Sequence, residues 1–159
     1  MVNLIPAQEN MEEFLALVKE YTERITLQDA EVAKTLSPQH LAEELKDTER
    51  KYGFPYGRMY LSLVDGSAAG CVALTRNDDQ YCEMKRLYVK PEFRGMHLSR
   101  LLCDQVIDDA KAIGYRYMRL DTFPFMESAI RLYKSYGFYS IPRYNANPAS
   151  NAIFLQLTL

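Results

Sequence analysis

The chain has 159 residues, 48% of them hydrophobic and 25% charged, values typical of a single globular domain spanning residues 1–159. A net charge of −2 without any dense run of Lys and Arg argues against a nucleic-acid partner. The longest apolar run, 68–74, is too short to cross a membrane, and the first residues lack the pattern of a signal peptide. We therefore expect a cytoplasmic protein without a membrane partner.

The first third of the chain predicts one strand and two helices. Residues 2–5, closed by Pro6, are typical of a short strand, and residues 9–27 carry apolar side chains at helical spacing. Ser37 and Pro38 predict the start of a second helix, with the serine as N-cap and the proline at the first helical position.

A hairpin and a third strand follow these helices. Residues 59–64 and 69–74 are strand-like runs separated by Asp65-Gly66, a dipeptide that favours a tight hairpin turn. Residues 81–89 predict the next strand, which Pro91 ends.

The remaining chain alternates strands and helices. We predict a helix at 98–113, a strand at 117–122, a helix at 125–136 and two final strands at 138–141 and 152–159. This order favours an α+β fold with a central mixed sheet. The change from hairpins to a strand–helix crossover after Val89 predicts a place where two neighbouring strands separate and a ligand enters.

The most informative stretch, residues 82–102, joins a strand, a short basic turn and a helix. A helix start presents free backbone N–H groups and the positive end of the helix dipole, which together bind phosphate. Residues 81–159 also carry 11 Lys and Arg against 7 Asp and Glu, which suits a polyanionic ligand. Scattered surface charge is the alternative explanation of that excess.

Two blocks of sequence resemble the GCN5-related N-acetyltransferase (GNAT) family. The first contains Leu-Tyr-Val at 87–89, Pro-Glu-Phe-Arg-Gly at 91–95 and a leucine-rich helix from Leu98. The second, at 129–138, has the family pattern Ala-Ile-x-Leu-Tyr-x-x-x-Gly-Phe. The resemblance implies a mixed, mostly antiparallel sheet flanked by helices, with splayed strands at the acyl-CoA site.

The resemblance also implies acetyl-CoA as co-substrate and no metal. Backbone N–H groups of Arg94 to Ser99 would hold the pyrophosphate, and the backbone at Leu87 and Val89 would hold the pantetheine arm. The residues placed at this site are Leu87, Tyr88, Val89, Arg94, Gly95, Met96, His97, Leu98, Ser99, Met126 and Tyr133.

Three positions depart from the family pattern. His97 and Ser99 stand where the family has small residues, and Met126 stands where it often has Asn. Histidine tolerates a positive φ better than most residues, so we expect the loop to keep its shape, with affinity for acetyl-CoA intact or weakened.

The resemblance assigns two catalytic residues. Glu83 lies where the family often places a glutamate and would act as general base toward the amine. Tyr133 matches the family tyrosine that donates a proton to the departing thiolate. The alternatives are a glutamate solvated or paired with Lys85 or Arg86, and a tyrosine that only packs in the core.

The expected acceptor is a small-molecule or peptide amine. Whether this amine is cationic or carries a carboxylate stays open at this point. The predicted first helices are acidic, which favours a cationic amine, whereas Arg143 in the 141–148 loop would favour a carboxylate. The acidic residues are Glu12, Glu13, Glu20, Glu23, Glu43, Glu44 and Asp47.

Two further alternatives remain. The departures at His97, Ser99 and Met126 also suit a catalytically inactive acyl-CoA-binding regulatory module. Late strands of such a sheet can pair across a two-fold axis, which leaves a homodimer open.

The three cysteines fit neither a zinc pattern nor a CxxC motif, so we expect reduced core thiols.

Overall fold

The computed structural model describes residues 1–35, 42–43 and 46–159, and the helix start predicted at Ser37-Pro38 lies outside these ranges. The strands are β1 (Val2–Pro6), β2 (Arg58–Val64), β3 (Ser67–Arg76), β4 (Tyr81–Val89), β5 (Tyr117–Thr122), β6 (Tyr139–Ser140) and β7 (Ile153–Thr158). The helices are α1 (Met11–Thr26), α2 (Ala30–Thr35), α3 (Thr48–Tyr52), α4 (Leu98–Ile113) and α5 (Glu127–Tyr136), with 3₁₀ turns at Ala7–Asn10 and Pro91–Phe93. No helix within the described ranges has the length and apolar character needed to cross a membrane.

The strands form one sheet in the order β1-β2-β3-β4-β5-β7-β6. Among the described pairs, only β4 and β5 are parallel. Asp65 and Gly66 both have positive φ, 50° and 85°, as the tight β2–β3 hairpin requires. The predicted α+β class with a mixed, mostly antiparallel sheet is confirmed.

Helices cover both faces of the sheet. On one face α4 packs its buried side chains, among them Leu102 and Val106, against β3 and β4. On the other face α1 packs Phe14 and Leu17 against β3 and β4. Leu101, expected on the apolar stripe of α4, is instead 37% exposed, and the helical period buries its neighbours on the core side of the helix.

The three cysteines are buried and free, as the sequence predicts. Burial raises the pKa of Cys82 and of Cys103 to about 12, and it raises the pKa of Cys71 as well. The thiols are therefore protonated at neutral pH and pack as small apolar groups.

Candidate active site

The parallel strands β4 and β5 separate partway along their length. They pair from Tyr81–Tyr117 to Glu83–Arg119, and beyond this point the two strands continue without pairing to each other. The separation predicted from the sequence is therefore present, and it begins at Glu83.

A β-bulge in β4 accompanies the separation. Cys71 of β3 pairs with Tyr88, but Ala73, two residues on, pairs with Lys85, so β4 carries an extra residue at this point. Arg86 there has a left-handed φ of 60°. A bulge bends its strand and increases the local twist, which turns β4 away from β5. No local pattern indicates this bulge, because arginine rarely adopts positive φ.

A cavity of about 870 Å³ occupies the gap between the strands. Glu83 and Leu87 of β4, Asp121 of β5, and Met126 and Tyr133 around α5 all line it. The structure thus brings both predicted catalytic residues to one cavity, together with three of the predicted acetyl-CoA contacts, Leu87, Met126 and Tyr133, the last of which has both roles.

Tyr88 and Val89 are placed differently. The Tyr88 ring points to α1, where its hydroxyl donates a hydrogen bond to Glu20 and its ring lies 5.5 Å from that of Tyr21. Val89 is buried, and its backbone pairs with Gly70 of β3. Tyr88 can therefore contact a ligand in the gap only through its backbone.

The loop that leads into α4 lies beyond the end of β4, and its residues 94–97 are exposed, whereas the Leu98 side chain is buried. Gly95 and His97 both have left-handed φ, 86° and 60°, and His97 is the N-cap residue but its side chain makes no cap hydrogen bond. The Leu101 N–H donates to His97 O at 3.1 Å, so the N–H groups of Leu98 and Ser99 precede the first intrahelical bond. These amides and the helix dipole suit an anion.

The loop before α4 agrees with one expectation from the sequence and departs from another. His97 does adopt the left-handed conformation that its tolerance of positive φ predicts. The Arg94 N–H is not free, because it donates to Pro91 O at 3.2 Å and closes the 3₁₀ turn. The expected cradle of amides is therefore shorter by one and begins at Gly95.

Glu83 is only 6% exposed and is held by three side chains. Its Oε2 accepts a hydrogen bond from the Tyr144 hydroxyl at 2.6 Å and lies 3.6 Å from Lys85 Nζ. Its Oε1 has a single longer contact, 3.4 Å to Asn77 Nδ2. The pairing with Lys85 considered from the sequence occurs, but the carboxylate is buried rather than solvated.

Tyr133 is 6% exposed, and its ring packs against Phe138 with 5.6 Å between centroids. Burial raises the pKa of Tyr133 well above its ordinary value, so the hydroxyl keeps its proton at neutral pH. Within the described part of the chain this hydroxyl has no hydrogen-bond partner. The side chain thus packs in the core and also presents a protonated group to the cavity.

Asp121 is a partly buried carboxylate that the sequence analysis missed. Burial alone would raise the pKa of Asp121, but the charge of Lys85, hydrogen bonds from Asn145 and Asn147 and the charge of Arg86 together hold it below its usual value. The Asn-x-Asn pattern at 145–147 was the available signal, but nothing in the sequence indicated that these side chains contact β5.

Arg143 does not serve the cavity. Its guanidinium donates to Ala149 O at 2.8 Å and to Asn147 O, and it lies over the Phe154 ring at 4.8 Å. It braces its own loop and does not line the cavity, so the sequence argument that used Arg143 to favour a carboxylate loses its basis.

Basic side chains are prominent in the cavity wall. Of the acidic residues expected at the acceptor site, Glu43 and Asp47 line the cavity, the other described members do not, and Glu44 lies outside the described residues. The cavity is lined by five cationic residues, Arg50, Lys51, Arg76, Lys85 and Arg86. Burial, reinforced by the charge of Lys85, lowers the pKa of Lys51 to about 8, so Lys51 stays mostly charged at pH 7.

Sheet order, separated strands and an uncapped helix start beside them suit an acyl-CoA ligand. The acetyltransferase (GNAT) family model matches residues 18–138, and the chain belongs to that family. Its members are acyltransferases that use acetyl-CoA as co-substrate, and this confirms the resemblance and the enzyme class predicted from the sequence. Among the described residues, no group of three or more His, Cys, Asp or Glu could hold a metal ion.

Individual relatives agree with this assignment. An uncharacterized N-acetyltransferase of Schizosaccharomyces pombe is 36% identical over 99% of this chain and 94% of its own length. The N-acetylaspartate synthetase of Mus musculus is 29% identical over 78% of this chain and 40% of its own. The crystal structure of an acetyltransferase from Streptococcus agalactiae has the same fold, with a TM-score of 0.80 over 99% of this chain and 98% of that one at 22% identity.

Proposed function

We propose that this enzyme transfers an acetyl group directly from acetyl-CoA to a primary amine of a small molecule or peptide, with Glu83 as general base and Tyr133 as general acid. The observation that carries the proposal is the placement of a buried carboxylate and a buried, protonated tyrosine in one cavity where β4 and β5 separate. A carboxylate can accept a proton and a protonated phenol can give one, as the base and acid roles require.

The donor is proposed to lie along β4. The amides from Gly95 to Ser99 hold the pyrophosphate, with the exposed Arg94 side chain beside them. Beyond Glu83, the edge of β4 that faces β5 has no partner in the described sheet, so the amide-bearing pantetheine arm can pair with the backbone at Leu87 and Val89. The thioester then enters the cavity.

The reaction needs proton transfers before and after one acyl transfer. An amine with a reference pKa of about 10 is mostly protonated at neutral pH, so its ammonium first gives a proton to Glu83. The free amine attacks the thioester carbonyl, and a backbone N–H near Leu87 stabilises the oxyanion. The carbon–sulfur bond then breaks, Tyr133 gives its proton to the departing thiolate, and the Tyr133 oxygen takes up the excess proton that the attacking nitrogen still carries.

We further propose that the acceptor carries an acidic group besides its amine. Lys51, Lys85 and Arg86 give the interior of the cavity more positive than negative charge, since Glu83 and the partly buried Asp121 are the acids facing them. A polyamine would bring a second cation into this field, whereas a carboxylate would be attracted. The name of the related N-acetylaspartate synthetases is in keeping with such an acceptor.

A thiol-release assay with matched amines tests this acceptor class. We expect acidic amino acids to exceed polyamines in kcat/KM by about tenfold, the effect of one well-placed charge. Lys51→Gln should reduce that preference, and Lys46→Gln, which removes an exposed lysine outside the cavity, should not. Equal or faster turnover of polyamines by the wild-type enzyme would contradict the proposal.

The loop before α4 yields a prediction about acetyl-CoA binding. Because His97 has φ of 60°, His97→Gly should keep the backbone in place and leave the Kd for acetyl-CoA within about threefold of wild type. His97→Val should weaken binding by about tenfold, since the left-handed conformation costs a β-branched residue about 1–2 kcal/mol. Calorimetric titration measures both variants, and equal binding by His97→Val would show that the loop does not need this backbone.

A further inference from the structure

We infer that Tyr144 is a positioning residue that fixes the orientation of the Glu83 carboxylate, an inference that rests on the proposed role of Glu83. The Tyr144 hydroxyl donates to Glu83 Oε2 at 2.6 Å across 61 residues of sequence. Tyr144 is not among the described residues that line the cavity. It therefore acts on the reaction through Glu83 and does not touch the substrate.

The Tyr144 ring is itself held on two sides. It packs edge-on against Phe154 of β7 with centroids 5.4 Å apart, and the Arg119 guanidinium lies 4.2 Å from its centroid. Arg119 lies at a similar distance, 4.1 Å, over the ring of Tyr81 and donates to Asn77 Oδ1 at 3.1 Å. A closed set of contacts thus joins β4, β5, β7 and the 141–152 loop around one carboxylate.

The loop that carries Tyr144 is fixed to β5. The side-chain amides of Asn145 and Asn147 both donate to Asp121 Oδ2, at 3.0 and 3.1 Å. Asn147 N–H donates back to Asn145 Oδ1, and Ala149 N–H donates to Asn147 Oδ1. Asp121 therefore has a structural role, because it anchors Asn145 and Asn147, which follow Tyr144 in the loop.

The two carboxylate oxygens of Glu83 differ in the contacts that hold them. The terminal torsion of glutamate is broad, so a carboxylate without a strong partner rotates. Tyr144 and Lys85 occupy Oε2, while Oε1 has only the 3.4 Å contact with Asn77. Oε1 is accordingly the oxygen left to take the proton from the acceptor amine.

The test compares Tyr144→Phe with Tyr139→Phe in the full-length enzyme. Tyr139 lies on the exposed β6 strand, and its hydroxyl bonds to Thr158, away from the cavity. For Tyr144→Phe we expect kcat to fall about tenfold while the Kd for acetyl-CoA stays unchanged. Tyr139→Phe should match the wild type in both quantities. A folded Tyr144→Phe enzyme with the wild-type kcat would overturn the inference.

Two controls keep the outcome interpretable. If Tyr144→Phe does not fold, Asn145→Ala loosens the same loop from Asp121, and an unchanged kcat in that variant would likewise contradict the inference. If Glu83→Gln retains full activity, the proposed function fails. If Glu83→Gln is inactive while Tyr144→Phe is normal, the inference about Tyr144 alone fails.

Discussion

Glu83→Gln is expected to lower kcat for amine acetylation by about 100-fold or more, the usual contribution of a general base. Glutamine has nearly the shape of glutamate and can keep the contacts with Tyr144 and Asn77, but it cannot accept a proton. Because Glu83 lies at the mouth of the β4–β5 gap and not in the 95–99 loop, acetyl-CoA binding should stay within about twofold of wild type.

Steady-state thiol release and calorimetric titration measure these two quantities separately. Glu43→Gln is the matched control, since Glu43 also lines the cavity and the change removes the same charge. Turnover lost only in Glu83→Gln, with binding retained, would support the base role and exclude an inactive acyl-CoA-binding module. Wild-type kcat in Glu83→Gln would refute the assignment.

Tyr133→Phe is expected to lower kcat by about 10- to 100-fold through loss of the proton donor. The ring that packs on Phe138 remains, so the variant should fold. Since burial raises the pKa of Tyr133, the hydroxyl is protonated throughout the working range, and stability and activity gain no new limb from its ionisation below pH 10. The pH profile of the variant should therefore keep its shape while its height falls.

The comparison variant for Tyr133 is Tyr136→Phe. Tyr136 lies on the same helix, and its hydroxyl donates to Arg100 O at 3.1 Å on the exposed side of α4. Thiol release measured with both variants should show the large fall only for Tyr133→Phe. Equal rates for the two would mean that the thiolate leaves without a proton from α5.

Regular elements with strong local signals were predictable from the sequence. The helix at 98–113 and the strand at 117–122 were predicted with the bounds that the structure shows. For the helix, the apolar period and a glycine at the end carry the information, and Gly114 indeed has a left-handed φ of 110°. The GNAT family and its enzyme class followed from two blocks whose residues are neighbours along the chain.

The features that could not be predicted depend on contacts between distant segments. The bulge at Arg86 places an arginine at positive φ, which tertiary packing imposes against local preference. The Tyr144–Glu83 hydrogen bond joins residues 61 apart in the chain, and no local pattern encodes that distance. The sequence also does not indicate that Arg143 points away from the acceptor, because its partners are carbonyls of its own folded loop.

The placement of the donor is tested most directly by NMR of the backbone amides while acetyl-CoA is titrated into ¹⁵N-labelled protein. We expect saturable shifts at Gly95 to Arg100, where the helix start is uncapped, and at Leu87 to Val89, where β4 has separated from β5. The residues of β1, on the far side of the sheet, should be unaffected. Absence of binding, or shifts confined to residues outside those two segments, would contradict the placement of the donor and with it the roles of Glu83 and Tyr133.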